Sequence, residues 1–140
     1  MDNQNSEIGM GSVGILKEEM TEKYFLKWLG QKLEINFLRH SPFLNRKIKK
    51  VAVLGGSGSF AIPNAKEINA DVLVTADLKY HDFFQAENQI FLVDGGHYET
   101  ERFTKKLIHD HLIEKLPKFA IALSKSITNP VNYFYNGKKK

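Results

Sequence analysis

Three clusters of polar residues carry the chemistry open to this chain. The first is Asp94-Gly95-Gly96-His97-Tyr98-Glu99-Thr100-Glu101. With a helix starting near His97, the imidazole of His97 and the carboxylate of Glu101 stand four residues apart and share one face. Such a pair can bind one divalent ion at about 2 Å per bond, and the two glycines before it leave the approach open. An acid-rich helix start that answers the helix dipole accounts for the same residues without a ligand. The second cluster is Thr75-Ala76-Asp77-Leu78-Lys79-Tyr80-His81-Asp82. Here a carboxylate, a lysine and an imidazole follow an apolar strand, and His81 suits either a general acid or base or a helix cap. The third is the glycine-rich run Gly55-Gly56-Ser57-Gly58-Ser59. Gly56-x-Gly58-x-x-Ala61 fits a dinucleotide fingerprint, and Asp77 follows about 20 residues on. A sharp turn under a closely packed helix explains the glycines equally. His40, His109 and His111 read as surface or helix-end histidines.

The elements that must position these groups follow from the apolar pattern. Residues 1–20 are polar and punctuated by Gly9, Gly11 and Gly14, and read as a leading segment. Thr21 is predicted to cap a helix in which Tyr24, Phe25, Trp28, Leu29 and Leu33 recur at helical spacing. From Ile48 onward, apolar runs alternate with helical stretches. Strands are predicted at Val51–Leu54, Asp71–Thr75, Ile90–Val93 and Phe119–Leu123. Helices are predicted in the stretch after the Gly55–Ser59 loop to about Asn69, with Pro63 in the first turn, over Tyr80–Glu87, and from Glu99 to about Lys115. Uninterrupted apolar strands between helices imply an α/β fold with a mostly parallel or mixed sheet covered by helices. The three polar clusters then sit at the carboxyl ends of strands, where such sheets bind ligands. Residues 21–136 form one α/β domain in this reading, and 137–140 a basic tail.

Composition narrows the function classes. A chain of 140 residues fits one domain. Cysteine is absent, so disulfides and thiolate ligands are excluded and a metal site must draw on His, Asp and Glu. No apolar run reaches the length of a membrane span. The amino terminus lacks the pattern of a signal peptide, which points to a cytoplasmic protein. The net charge of +4 rests on Lys47, Lys49, Lys50, Lys138, Lys139 and Lys140; without them the balance is slightly acidic, so a nucleic-acid partner is not indicated. Aromatics around Trp28 and at Tyr133, Phe134 and Tyr135 suggest surface for self-association.

Four segments in order carry a family resemblance. They are Gly9-Met10-Gly11-Ser12-Val13-Gly14, the run Val51 to Ser59, the run Ala70 to His81, and Asp94 to Glu101. Together they resemble the carboxy-terminal half of the GTP cyclohydrolase I type 2 homologues, the NIF-three-like dinuclear metal-centre family. Thr128-Asn129-Pro130-Val131-Asn132-Tyr133-Phe134 resembles the ending of its long, domain-inserted bacterial members. The resemblance implies one half of a two-lobed fold that binds two divalent ions, zinc, iron or manganese, between related halves. It implies hydrolase-like chemistry with a possible nucleotide substrate, GTP ring opening being attributed to some members, and closed homo-oligomers.

Residue by residue, the resemblance makes His97 and Glu101 metal ligands and places His81 and Asp77 beside the site as orienting or proton-transfer groups. Ala76 stands where the family has glycine. The family's other half supplies an adjacent His-His pair, and no His-His occurs in this sequence. The expectation is therefore a half-site, with residues 1–20 the remnant of a junction with an inserted domain, and no catalysis by the chain alone. A nucleotide-binding module built on Gly55–Ser59, and a ligand-free interaction module, are the alternatives.

Overall fold

A computed structural model describes residues 9–134. The basic tail 137–140, Tyr135 and the first eight residues lie outside them. The described chain divides after Arg102 into two units, a boundary that falls inside the stretch expected as one domain.

The first unit is built on a five-stranded mixed sheet. β3 (Lys47–Ser57), β4 (Val72–Ala76) and β5 (Phe91–Asp94) run parallel at its centre. β1 (Ser12–Thr21) pairs antiparallel with β3 at one edge, and β2 (Arg39–His40) pairs antiparallel with β5 at the other. Alternate residues of the central strands face opposite sides, as the pleat requires. Ala52, Leu73 and Leu92 pack with Ile62, Ala65, Leu78 and Ile90 on one face. Val51, Val72, Val74, Phe91 and Val93 pack with Phe25 and Leu29 on the other. Both faces of β4 and β5 are buried, which is why these strands read as continuous apolar runs, whereas Val53 of β3 is exposed.

Phe25 and Leu29 come from α1 (Glu22–Leu33), capped as the sequence implies: the Thr21 hydroxyl accepts the Tyr24 N–H at 3.3 Å. Glu22, the first helical residue, is buried, and its carboxylate accepts the N–H groups of Leu44 and Asn45 at 2.8 and 3.0 Å. Trp28 is half-buried against the core, its ring 5.7 Å from that of Phe25. A 3-10 turn (Ser59–Ala61) leads into the short α2 (Ile62–Glu67), and a 3-10 helix spans Tyr80–Ala86. Among the described residues no helix is long and apolar enough to cross a membrane.

Three elements differ from the sequence expectation. The stretch 1–20 reads as a leading segment, yet residues 12–20 belong to the edge strand β1. The helix expected from Glu99 to Lys115 is two helices, α3 (His97–Glu101) and α4 (Thr104–Lys115). Arg102, between them, donates to Leu33 O at 2.5 Å and to Glu34 at 2.8 Å, which fastens the end of α3 to the end of α1. Phe119–Leu123 forms no strand; it is irregular, and Phe119 is exposed. The second unit, residues 103–134 as described, consists of α4 and this irregular tail, and none of the residues of α4 is buried.

Candidate metal centre

The ends of the three parallel strands bring the polar residues together. β4 stops at Ala76, and Asp77 turns the chain with φ 56°, a left-handed conformation that a short polar side chain tolerates. Ser57 closes β3 directly beside Ala76 in the register. Its hydroxyl donates to Asp77 Oδ2 at 2.5 Å. β5 stops at Asp94, and Gly95-Gly96 lead into α3, whose first residue is His97. Gly96 has φ 84° and ψ 142°, close to the region only glycine occupies, so this residue is needed to aim the helix.

His97 is held from both ring nitrogens. Nδ1 lies 2.7 Å from Asp77 Oδ2, and since an ionised carboxylate only accepts, Nδ1–H is the donor. Nε2 lies 3.2 Å from Glu101 Oε2 across one helical turn. All three side chains are about half exposed, at 46–52%. The site is therefore open to ions from solvent, and its pairwise electrostatics are screened. The Ser57 hydroxyl, and after it the His97 ring, hold the Asp77 carboxyl below its ordinary 3.8. The bond from Asp77 raises His97 above its ordinary 6.5, against partial desolvation and with help from the Asp77 and Glu101 charges.

The glycine-rich loop packs beneath this group rather than opening as a cradle. The Gly56 N–H donates to Thr100 Oγ1 at 3.0 Å, and Thr75 Oγ1 donates to Gly56 O at 3.1 Å. A Cβ on Gly56 would stand 2.3 Å from Glu101 Oε1 and 3.4 Å from His97 Cε1, and one on Gly58 would stand 2.1 Å from Thr75 Oγ1. Gly56 thus makes room for Glu101, and Gly58 makes room for Thr75.

The donor set can be tested against a metal. Two ligands at about 2 Å from one ion, at angles between octahedral and tetrahedral, stand about 2.8–3.3 Å apart. The 3.2 Å between His97 Nε2 and Glu101 Oε2 lies in that range. Asp77 engages the opposite edge of the imidazole, as carboxylates do behind metal-bound histidines. It therefore does not converge on the same point, and no group of three or more His, Asp or Glu side chains among the described residues is arranged to hold an ion. His97, Glu101 and Asp77 are together, as the sequence suggests. His81 is not with them. It sits on the exposed 3-10 helix, its ring 5.2 Å from that of Tyr80 and 6.4 Å from that of Phe84. Ser57 and Thr100 have no part assigned by sequence reasoning. Only the register between β3 and β4, which brings Ser57 beside the Asp77 turn, reveals the first.

Comparison with known proteins agrees with this architecture. The model of the Duf34/NIF3 (NGG1p interacting factor 3) family matches residues 2–130. The chain is 35% identical over 135 residues to the GTP cyclohydrolase 1 type 2 homolog of Staphylococcus epidermidis, covering 94% of this chain and 37% of that protein. It is 37% identical over 137 residues to the Bacillus subtilis protein of the same description, covering 91% and 35%. Among solved structures, a Staphylococcus aureus hypothetical protein superposes with a TM-score of 0.81 at 32% identity, over 90% of this chain and 43% of that one. A Bacillus cereus protein related to NIF3 superposes with a TM-score of 0.77 at 33% identity, over 96% and 38%. The chain thus spans little more than a third of the length of the Staphylococcus epidermidis and Bacillus subtilis proteins. With the family model matching nearly its whole length and these relatives sharing its sheet, the chain belongs to the Duf34/NIF3 family.

Proposed function

We propose that His97 and Glu101 are this chain's contribution to a divalent metal centre, zinc, iron or manganese, in a hydrolase-like protein of the GTP cyclohydrolase 1 type 2 homolog kind. The observation that carries the reading is the 3.2 Å separation of Nε2 and Oε2, with Asp77 bonded to the far nitrogen of the same ring. Asp77 fixes the tautomer that leaves the Nε2 lone pair facing Glu101, and Ser57 fixes Asp77. A bound ion would supply Lewis acidity toward a water or a substrate oxygen. His81, four residues beyond Asp77 and with its ring among Tyr80 and Phe84 rather than beside His97, is proposed for proton transfer on the family resemblance alone.

Two protein ligands are fewer than the three that catalytic ions ordinarily have, and a two-ion centre needs more again. The remaining donors would come from a partner chain or from sequence outside the described residues. The chain by itself is therefore proposed to bind metal weakly and to lack hydrolytic activity. Self-association is part of the proposal: Leu107, Ile108, Ile113 and Leu116 of the second unit are all exposed, an apolar surface of the kind that marks interaction sites. A nucleotide module built on Gly55–Ser59 is disfavoured because the Gly56 N–H is already given to Thr100, the Gly56 C=O accepts from Thr75, and Glu101 packs against Gly56.

Zinc and manganese titrations of the wild type beside His97→Ala/Glu101→Ala test the reading. Binding that disappears in the variant is expected, and equal binding by both proteins would contradict it.

A further inference from the structure

We infer that Asp94, braced by Arg39, is the positioning residue that fixes the two loops of the centre against each other. The inference rests on the metal reading of His97 and Glu101. Asp94 ends β5 and is only 5% exposed. Its two oxygens are divided between the loops. Oδ2 accepts the N–H of Leu78, the residue after Asp77, at 3.0 Å. Oδ1 accepts the N–H of Gly96, the residue before His97, also at 3.0 Å. Arg39, the register partner of Asp94 on the edge strand β2, donates from Nη1 to Asp94 Oδ2 at 3.1 Å and from Nη2 to Leu78 O at 2.8 Å. The peptide groups of Leu78 are thus gripped from the N–H by Asp94 and from the C=O by Arg39. The guanidinium in turn lies 5.2 Å over the Phe83 ring.

A buried carboxylate is expensive unless it is paired and hydrogen-bonded, and here it has two backbone donors and one guanidinium. Each of the two segments it ties turns through a left-handed residue, Asp77 at φ 56° and Gly96 at φ 84°. The 2.7 Å contact between Asp77 Oδ2 and His97 Nδ1 joins residues from these two segments. Asp94 sets that contact while touching neither His97 nor Glu101. It is not itself a ligand, because its oxygens are already engaged.

The test compares Asp94→Asn with Asp71→Asn. Asp71 is a control of like chemistry, accepting the N–H groups of Lys49 and Lys50 at 2.8 and 2.7 Å at the opposite end of the strands. The deciding readout needs no metal: the His97 ring tautomer, read from long-range nitrogen–proton NMR with the ring neutral. In the wild type the proton sits on Nδ1. In Asp94→Asn it is expected to redistribute toward Nε2, and the affinity for Co2+, followed by its visible absorption, is expected to fall about tenfold. Asp71→Asn is expected to leave both readouts as in the wild type. An Asp94→Asn protein that folds with the His97 tautomer unchanged overturns the inference. If that variant fails to fold, Arg39→Met carries the same test, since it loosens the grip on Leu78 from an exposed position; an unchanged tautomer there overturns it too. Loss of Co2+ binding by the wild type itself would contradict the metal reading, and the tautomer would still decide the part played by Asp94.

Discussion

Replacing Asp77 with asparagine separates the proposed orienting role of this residue from the proposed ligand roles of His97 and Glu101. The amide keeps the size of the carboxylate and can still accept the Ser57 hydroxyl, so the turn at φ 56° has no new steric conflict. What is lost is the anion behind His97 Nδ1, at 2.7 Å. Loss of such a carboxylate behind a metal-bound histidine costs about 10–100-fold in affinity, or about 1.4–2.7 kcal/mol. Asp77 and His97 are about half exposed, and solvent competes for both, so the lower end, about tenfold, is expected. The assay is Mn2+ titration followed by electron paramagnetic resonance, on wild type, Asp77→Asn and His97→Ala. Asp77→Asn should bind about tenfold more weakly and His97→Ala should not bind measurably. The same substitution should move the His97 NMR titration midpoint down toward the ordinary 6.5, because the bond from Asp77 is the largest cause of its elevation. An Asp77→Asn protein with wild-type Mn2+ affinity would refute the orienting role, whatever its stability.

Metal binding should weaken with acidification, beginning above pH 6.5, because the ion needs a neutral imidazole while Asp77 favours the charged one. The stability contributed by the His97–Asp77 pair, about 1 kcal/mol or less for half-exposed groups, should be present between the two titrations. It is lost upward as pH passes the raised folded pKa of His97 and downward as pH passes the lowered one of Asp77; urea unfolding across pH, with Asp77→Asn as reference, measures it. Gly56→Ala should cost about 1 kcal/mol or more at φ 67° and displace the Glu101 carboxylate, so metal affinity should fall along with the melting temperature. Glu22→Ala removes the acceptor of two backbone N–H groups far from the site, and should cost about 1–3 kcal/mol in urea while leaving metal affinity unchanged.

The strands β4 and β5 are legible in the sequence because both their faces are buried, which makes β4 wholly apolar or small across Val72–Ala76. Thr21 announces α1 by local chemistry, and helical geometry announces the pairing of His97 with Glu101. What stays hidden is non-local. β1 is almost entirely exposed and carries Lys17, Glu18 and Glu19, so its strand character comes from pairing with β3 and leaves no apolar pattern to read. β2 is two residues long and owes its place to β5 and to Arg39 on Asp94. The apolar run Phe119–Leu123 looks like a strand because short apolar runs do not declare their partner, and among the described residues none pairs with it. At the break after Glu101, Arg102 bonds to Glu34 and Leu33, contacts across 68 and 69 positions that no local pattern announces. At the site, the sequence brings Asp77 and His81 forward together. The left-handed turn at Asp77 sends that side chain toward His97, while the 3-10 helix carries His81 among Tyr80 and Phe84.

X-ray absorption of the zinc-loaded chain decides whether His97 and Glu101 together hold a divalent ion. A first shell containing one imidazole nitrogen and carboxylate oxygen at about 2.0–2.2 Å, absent from His97→Ala/Glu101→Ala under the same loading, is expected. A zinc shell without imidazole, or one that is identical in the double variant, would contradict it.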